Sequence, residues 1–504
     1  MMQYLGPSLA ILLLVLFGAG FRLRPFRKNR ALGGDNWYWL LCAEDVKKRR
    51  TLPPKLPYFM LEIEEQWYPP LYAGLLALLP MEWLERHGGK ISQFIDLLQG
   101  LLIFLVVLWI SNSLPVASLS GFSYMMAFFP FSCNTQLQPR GLANLLLTLV
   151  MIGLWFYIDS GSLILWSGVL ILSVILLFLH KMTVQIWVVY LLIMGWMARD
   201  FMIPLLIPAS VLMAIIFSKG FYLKMLKAHW DIVSFWHENI YFLGGHQYYE
   251  SPRYYKDSST ADLRRKKMRR LLARIVRIFD HNVFVLFLPA LAYSALPFPQ
   301  GRLEMFLWTW LSVTYLWAFV TTFFPYFMAL GEGSYYVYQT FFPMFLLVGL
   351  SIHFMPIFLQ GWLFGLWAAG IAISIIQWEK YCQSIPHSRT AAIRHDFKEV
   401  LDYLKELPKD GVFCISFHLP DAVAYWTRKR VFWGGHSYGF HAFLKPYFPI
   451  MREEITEVLK KEPLNYLVFW RGYLESLKDI GLQEGRHIRY LFGKGEYELY
   501  EIIK

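Results

Sequence analysis

The chain has 504 residues, of which 56% are hydrophobic and 17% are charged, whereas about a quarter of an ordinary soluble chain is charged. The charged residues are concentrated in residues 22–65, 224–277 and 380–504, and long apolar stretches separate these blocks. This pattern excludes a soluble globular protein and predicts a polytopic α-helical membrane protein. The net charge of +12 favours contact with anionic lipid head groups. Nucleic acid is not an expected partner, because no base-stacking module accompanies the basic residues.

Apolar stretches that could cross a bilayer, which takes about 17–25 residues, recur throughout the first 380 residues. We predict about eleven spans, at residues 4–21, 94–110, 114–133, 142–158, 163–179, 183–198, 201–217, 282–297, 305–325, 336–354 and 357–378. The first lacks the basic start and small-residue end of a signal peptide, so we expect it to be retained. Residues 69–84 are few, begin with two prolines and are broken by Pro80, which favours an interfacial or re-entrant helix.

An odd number of spans would place nearly every long polar segment on one side of the membrane. These segments are residues 22–93, 134–141, 180–182, 218–281, 326–335 and the C-terminal region. The opposite side would hold only tight turns, so we expect a site that opens to one compartment. A basic cluster that follows the first span favours the cytoplasm for this face: Arg22, Arg24, Arg27, Lys28 and Arg30. The positive-inside rule counts short loops best, however, so charge alone leaves the orientation open.

The pattern changes near residue 380, which predicts a transmembrane domain over residues 1–380 and a soluble domain over residues 381–504. Helix-like segments alternate there with apolar β-prone runs, which predicts a small α/β domain. The helical segments are 396–407, 447–461 and 472–479, and the β-prone runs are 412–417, 431–433, 466–470 and 497–503. No metal site is expected among His418, His436 and His441, whose spacing is not that of a zinc site. The four cysteines contain no CxxC pair.

The first polar loop carries an isolated acidic residue. Asp35 follows Gly33-Gly34 and precedes three aromatic residues, and Glu44 and Asp45 come ten residues later. A carboxylate in this setting could take a proton from an acceptor hydroxyl or amine, or bind a metal. The alternative is that Asp35 caps a helix that begins near Trp37.

Four further polar residues fall at the ends of predicted spans on the same face. They are Arg140, which precedes the fourth span, His180 and Lys181, which follow the fifth, and Glu332, which precedes the tenth. Each alone fits an interfacial residue that reaches toward lipid head groups. Together they provide cations that could bind a phosphate and a carboxylate that could orient a sugar or a metal. We expect Asp35 to lie in a cavity at the membrane boundary that at least one of Arg140, His180 and Lys181 also lines.

A basic run at residues 264–270, continued by Arg274 and Arg277, is interleaved with leucine and isoleucine. This pattern predicts an amphipathic helix on the surface of anionic lipid. The alternative is a gate over a lipid-phosphate substrate.

In order along the chain, these motifs resemble the GT-C superfamily of polyprenyl-phosphate-sugar-dependent membrane glycosyltransferases. The resemblance covers roughly residues 1–380. It rests on a first span, a loop with a lone acidic residue, and a Trp-Tyr-Pro-Pro-Leu motif before a Leu-rich helix. Three short motifs follow: Pro-Arg at 139–140, His-Lys at 180–181 and Gly-Glu-Gly at 331–333. The superfamily includes oligosaccharyltransferases, protein O-mannosyltransferases and aminoarabinose transferases.

The resemblance implies a role for each matching residue. Asp35 matches the acidic residue that acts as base or metal ligand, and Glu44 and Asp45 are weaker candidates for the same role. Arg140, His180 and Lys181 resemble positions that line the lipid-phosphate pocket. With them, we expect Glu332 and Tyr68 to contribute to substrate binding. It also implies a polyprenyl-phosphate-linked sugar as donor, a glycan, lipid or protein as acceptor, and an extracytoplasmic face. The second acidic motif and the Trp-Trp-Asp motif of oligosaccharyltransferases are missing, which argues against transfer to sequons and against an obligate divalent cation.

Two other functional classes compete with a glycosyltransferase. A lipid or polysaccharide transporter would place ionisable residues or broken helices near the middle of the membrane. The predicted spans have almost no central charges, and Asp96 lies near the end of one. A catalytically inert scaffold would leave Asp35 outside any cavity.

Overall fold

The computed structural model describes residues 2–28, 33–242, 272–273, 276–287, 301–354, 357–384, 395–416 and 418–504. The chain divides into two compact units, neither of which is continuous in sequence. Unit 1 comprises Met1–Arg30, Gly89–Gly220 and Arg270–His387, and unit 2 comprises Ala31–Gly88, Phe221–Arg269 and Ser388–Lys504. Unit 2 therefore contains the first polar loop as well as the C-terminal region. The predicted boundary between residues 380 and 381 stays a prediction.

The chain has the fold of a multi-pass α-helical membrane protein. Among the described residues, seven helical segments are long and apolar enough to cross a membrane: Gly6–Leu23, Met81–Ser111, Arg140–Ser160, Lys181–Ala198, Gly301–Phe323, Gly333–Phe354 and Gln360–Ser384. There are eight if the helices Met202–Phe217 and Phe221–Glu238 form one broken span. The shorter apolar helices are Leu114–Met126, Phe128–Cys133 and Leu163–Leu177. The predicted number of about eleven stays a prediction, and most of the span predicted at 282–297 lies outside the described residues.

The region around Pro80 differs in detail from the prediction. A short helix, Leu71–Ala77, ends before Pro80, and a helix of 31 residues runs from Met81 to Ser111. The predicted break is present, because proline has no N–H and its ring excludes the helical carbonyl four residues earlier. The span predicted at residues 94–110 is the second half of this longer helix.

The interior of unit 1 contains a buried ion pair. Arg22 is completely buried and pairs with Asp96, which is 1% exposed. Asp96 also accepts hydrogen bonds from the hydroxyls of Tyr124 and Tyr338, and Arg22 donates to the Gln93 amide oxygen at 3.3 Å. Asp96 lies midway along the 31-residue helix Met81–Ser111, near the start of the apolar stretch predicted at residues 94–110. Arg22 is likewise part of the packed interior, although we had counted it with the basic surface cluster.

Unit 2 contains a four-stranded sheet built from β1 (Val412–Ile415), β2 (Tyr466–Trp470), β3 (Ile488–Lys494) and β4 (Tyr497–Ile502). The strand order is β1-β2-β4-β3, with β1 parallel to β2 and the other pairs antiparallel. The unit's helices are Asn36–Arg49, Leu71–Ala77, Phe221–Glu238, His395–Glu406, Pro420–Thr427 and Ile455–Lys461. The predicted α/β domain is therefore present. The run at 431–433 forms only isolated bridges, to Phe59 and Val412.

Candidate functional site

Asp35 lies in unit 2, directly before the helix Asn36–Arg49, and its side chain is half-buried. The helix begins one residue before the predicted start. Among the described residues, the Asp35 side chain forms no capping hydrogen bond with this helix. The observed geometry therefore gives no support to capping as the reason for an aspartate at this position. The predicted role as a base stays a prediction.

The two weaker acidic candidates have well-defined partners on the same helix and beyond it. Asp45 accepts hydrogen bonds from the Arg49 guanidinium at 2.6–2.9 Å and from the Lys55 backbone N–H at 2.7 Å. Glu44 forms an ion pair with Arg428 at 2.7 Å. The Asp45 contacts hold the start of the loop that follows the helix, and the Glu44 ion pair links the helix to Arg428.

Aromatic rings surround the first turn of the Asp35 helix. The Tyr38 ring is 1% exposed and lies 6.5 Å from the ring of Tyr68, while the Trp39 and Tyr68 centroids are 5.8 Å apart. The imidazole of His436 meets the Tyr38 ring edge-on at 4.5 Å and lies 6.2 Å from Tyr68. Tyr68, which the sequence assigned to substrate binding, thus lies beside the helix that begins at Asp35.

His436 belongs to a glycine-rich segment, residues 434–441, which we name the carboxylate-bound loop. Four alternate backbone N–H groups donate to three carboxylates from distant parts of the sequence. The N–H of Gly435 bonds to Asp421 at 2.9 Å and that of Ser437 to Glu62 at 3.1 Å, while those of Gly439 and His441 bond to Asp231 at 3.2–3.3 Å. These four hydrogen bonds fix the backbone of the loop at every second residue.

Burial raises the pKa of Glu62 well above its usual range, and the charges of Asp421 and Asp231 add to the shift, against the hydrogen bond from Ser437. Burial also raises the pKa of Asp421, and His436 opposes this shift. Sequence reasoning did not select Glu62, Asp231 or Asp421 as loop anchors. The one feature of the sequence that could have indicated burial of Glu62 is its position between the apolar residues Leu61 and Ile63.

Unit 1 contains a polar cavity of about 300 Å³ that brings together two of the predicted residues, Arg140 and Glu332. Its polar lining includes Ser132, Gln136, Gln138, Arg140, Arg277, Asp280, His281 and Glu332. Arg277 pairs with Glu332 at 3.0 Å, and the His281 ring stacks on Phe129 at 3.8 Å. The sequence predicted Arg277 at the end of a basic amphipathic helix on the lipid surface. The basic run at residues 264–270 that begins this predicted helix lies outside the described residues. His281 carried no signal in the sequence.

Arg140 is positioned by the start of a 21-residue helix, Arg140–Ser160. Its guanidinium lies over the Tyr335 ring at 4.3 Å, with one nitrogen 3.7 Å from the Cys133 sulfur. A helix N-terminus carries partial positive charge and backbone N–H donors, which suit an anion. The cavity of unit 1 therefore combines two guanidinium groups and a helix N-terminus, which suit a phosphate, with the two carboxylates of Asp280 and Glu332.

His180 and Lys181 belong to unit 1 but are not among the residues that line this cavity. His180 is 6% exposed, and its Nδ1 lies 3.2 Å from the Thr183 hydroxyl. Lys181 is the first residue of the helix Lys181–Ala198 and is half-buried. Asp35 belongs to unit 2 and Arg140 to unit 1, so the prediction that they share a cavity stays a prediction, as do the substrate-binding roles of His180 and Lys181.

The described residues contain one group whose ligand atoms lie close enough to hold a metal ion. It consists of His395, Asp396 and Glu399, within 4.8 Å of one another, at the start of a helix in unit 2. Within the described ranges Asp35 is not part of such a group.

Comparison with known proteins identifies the fold. No protein-family model and no curated sequence matches the chain. The oligosaccharyltransferase AglB from Archaeoglobus fulgidus, solved with an inhibitory peptide and a dolichol-phosphate, is similar with a TM-score of 0.58 and 11% identity, covering 93% of this chain and 70% of AglB. ArnT from Cupriavidus metallidurans, bound to undecaprenyl phosphate, has a TM-score of 0.53 and 10% identity, covering 97% of both chains.

A further structure of the Archaeoglobus enzyme, tethered to an acceptor peptide with an NVT sequon, has a TM-score of 0.56 and 11% identity, covering 96% of this chain and 74% of that one. At such identities the likeness establishes architecture alone. AglB and ArnT are both GT-C glycosyltransferases, so the resemblance drawn from the sequence is confirmed at the level of the fold. This chain shares the fold of AglB and ArnT.

Proposed function

We propose that this protein is a membrane glycosyltransferase that moves a sugar from a polyprenyl-phosphate carrier to an acceptor, with inversion at the anomeric carbon. The observation that carries the proposal is the polar cavity of unit 1 in a chain with the GT-C fold. Arg140, Arg277 and a helix N-terminus supply positive charge there, and Asp280 and Glu332 supply carboxylates. AglB and ArnT, with the same fold, were solved with dolichol-phosphate and undecaprenyl phosphate.

In this proposal the two units have different roles. The cavity of unit 1 binds the phosphate of the donor, because guanidinium groups form charge-assisted hydrogen bonds with phosphate oxygens. Asp35 of unit 2 takes the proton from the acceptor hydroxyl as its oxygen attacks the anomeric carbon. The bond from that carbon to the phosphate oxygen breaks, and polyprenyl phosphate leaves with the bonding electrons, which the cations stabilise. The acceptor gains the sugar.

The role of Arg140 can be tested by donor binding. Arg140→Ala is expected to weaken the binding of undecaprenyl phosphate to the purified protein by about 1.5–3 kcal/mol, the size of one hydrogen bond to a charged group. This corresponds to a rise in Kd of about 10- to 150-fold, measured by tryptophan fluorescence or calorimetry in detergent. The control is Arg302→Ala, which removes an exposed arginine of the same unit. This variant should bind undecaprenyl phosphate as tightly as the unmodified protein. Equal affinity of the Arg140 variant would remove this residue from the donor site.

The membrane orientation is also a proposal. We place the C-terminal region and Asp35 on the extracytoplasmic side, since the predicted number of spans is odd and the GT-C resemblance implies an outward-facing site. Reporter domains fused at residue 250 and at residue 504 should both report the extracytoplasmic compartment. Cytoplasmic signals from both fusions would agree with both positions lying on one side of the membrane but would reverse the proposed orientation. Opposite signals from the two would show that a span has been miscounted.

The transporter alternative gains no support from the buried charges of unit 1. Ionisable residues in a transport path face a water-filled cavity, whereas Arg22 and Asp96 are at most 1% exposed and pair with each other. Among the described residues this pair serves the packing of helices. We therefore keep the glycosyltransferase as the one proposed function.

A further inference from the structure

The carboxylate-bound loop of unit 2 is built to hold one conformation. Gly434, Gly435 and Gly439 all have φ between +71° and +141°, which favours glycine. A side chain at Gly435 would overlap the carboxylate of Glu62, and one at Gly439 would lie 2.6 Å from the carbonyl oxygen of Leu61. The loop therefore lies directly against the segment around Glu62, and its backbone is fixed from both sides. A segment fixed so closely can position its side chains accurately.

The side chain that this loop presents to the helix Asn36–Arg49 is His436. Its ring meets the Tyr38 ring edge-on at 4.5 Å, and Tyr38 lies in the first turn of the helix that begins after Asp35. The Nε2 of His436 is 3.9 Å from the Asp421 carboxylate, and the side chain remains 34% exposed. One edge of the imidazole thus contacts fixed groups, while another part of the ring is open to a ligand.

Electrostatics connects His436 with Asp35. Burial raises the pKa of Asp421, and the charge of Asp35 contributes further to this shift. The two aspartates therefore lie within electrostatic range of each other, with His436 next to one of them. Negative charge here disfavours an anionic ligand. An imidazole with a carboxylate behind it, beside a tyrosine ring, can both donate and accept hydrogen bonds from neutral hydroxyl groups.

We propose that His436, oriented by Asp421 and flanked by Tyr68, forms an acceptor subsite for a neutral carbohydrate. His436 hydrogen-bonds a sugar hydroxyl, and the Tyr68 ring packs against the apolar C–H face of the sugar. Asp421 acts as a positioning residue through His436. This inference rests on the proposed function, because only a transferase has an acceptor. The binding of a neutral sugar can nevertheless be measured without any transfer.

The test is ligand binding to the full-length purified protein in detergent, with neutral p-nitrophenyl glycosides and the corresponding p-nitrophenyl glucuronide as probes. Saturation-transfer NMR should detect binding of a neutral glycoside and weaker binding of the glucuronide. His436→Gln should raise the Kd of the neutral glycoside about ten-fold, the loss expected for one hydrogen bond, and Asp421→Asn should raise it to a smaller extent. His441→Gln is the matched control, because that imidazole lies on the same loop and bonds to Glu238 at 2.7 Å.

Unchanged binding by His436→Gln would overturn the proposal, as would absent binding of every neutral glycoside or preferential binding of the glucuronide. His436→Asn is measured in parallel, and the thermal midpoint of each variant separates a lost ligand contact from a folding defect. A transfer assay then tests the sugar subsite and the glycosyltransferase activity separately. Binding that depends on His436 without sugar transfer would reject the glycosyltransferase and keep the subsite. Transfer with an unchanged acceptor KM in His436→Gln would reject the subsite and keep the enzyme.

Discussion

Asp35→Asn is expected to lower the rate of sugar transfer by about 10²–10⁴-fold, the usual contribution of a general base. Asparagine keeps the size and much of the hydrogen-bonding capacity of aspartate but cannot take the proton of the acceptor hydroxyl. Because the two side chains have nearly the same shape, we expect the fold to survive. The measurement is the initial rate of transfer from a polyprenyl-phosphate-linked sugar by purified protein, with the affinity for undecaprenyl phosphate measured beside it.

The matched control is Asp402→Asn, which removes an exposed carboxylate from the helix His395–Glu406 of the same unit. This variant should transfer sugar at the unmodified rate. A collapse of transfer in the Asp35 variant with unchanged donor affinity would identify a loss in the chemical step rather than in donor binding. Full transfer by Asp35→Asn would exclude this residue from the mechanism and leave the base unidentified.

Asp96→Ala should destabilise unit 1 by about 3–5 kcal/mol, because it leaves the Arg22 guanidinium buried without its partner. The hydroxyls of Tyr124 and Tyr338 would lose an acceptor as well. The midpoint of thermal unfolding in detergent should fall strongly, and expression should fall with it. The double variant Arg22→Met with Asp96→Leu should recover most of the loss, since buried ion pairs can be replaced by apolar pairs at little cost.

Asp159→Ala removes an exposed aspartate from the end of another helix of unit 1 and serves as the comparison, with an expected effect within about 0.5 kcal/mol. An Asp96→Ala protein that unfolds at the unmodified temperature would show that the ion pair contributes nothing to stability. Loss of lipid translocation in that variant, with stability intact, would instead support the transporter alternative.

The helices of unit 1 could be predicted because each depends on a local property of the sequence. Length and apolar character predicted Lys181–Ala198 and Arg140–Ser160 closely, and Pro80 marked a true break. The region at residues 447–461 shows the limit of local patterns. Only Ile455–Lys461 is α-helical there, because Pro446 and Pro449 cannot donate the hydrogen bonds of a helix interior. Strand β3 was missed, since its apolar run is only three residues long, Tyr490 to Phe492, and is followed by a glycine.

Long-range pairs explain why the site was only partly predictable. Arg140 and Glu332 were selected because both fall at span ends on one predicted face, and the cavity of unit 1 contains both. Nothing local indicates that Glu62 binds a backbone N–H 375 residues later, at Ser437. The same holds for Asp231, which bonds to the N–H groups of Gly439 and His441 about 210 residues away. Such anchors depend on tertiary structure and follow only from the folded chain.

The most direct test of the proposed glycosyltransferase activity is a transfer assay with the unmodified, purified protein. Detergent-solubilised protein is incubated with a polyprenyl-phosphate-linked sugar and a panel of glycan, lipid and peptide acceptors, and both products are quantified. A glycosyltransferase of the proposed kind should form glycosylated acceptor and free polyprenyl phosphate in equimolar amounts, with the anomeric configuration of the sugar inverted. Movement of the lipid-linked sugar across a reconstituted bilayer, with neither product formed for any acceptor, would contradict this proposal.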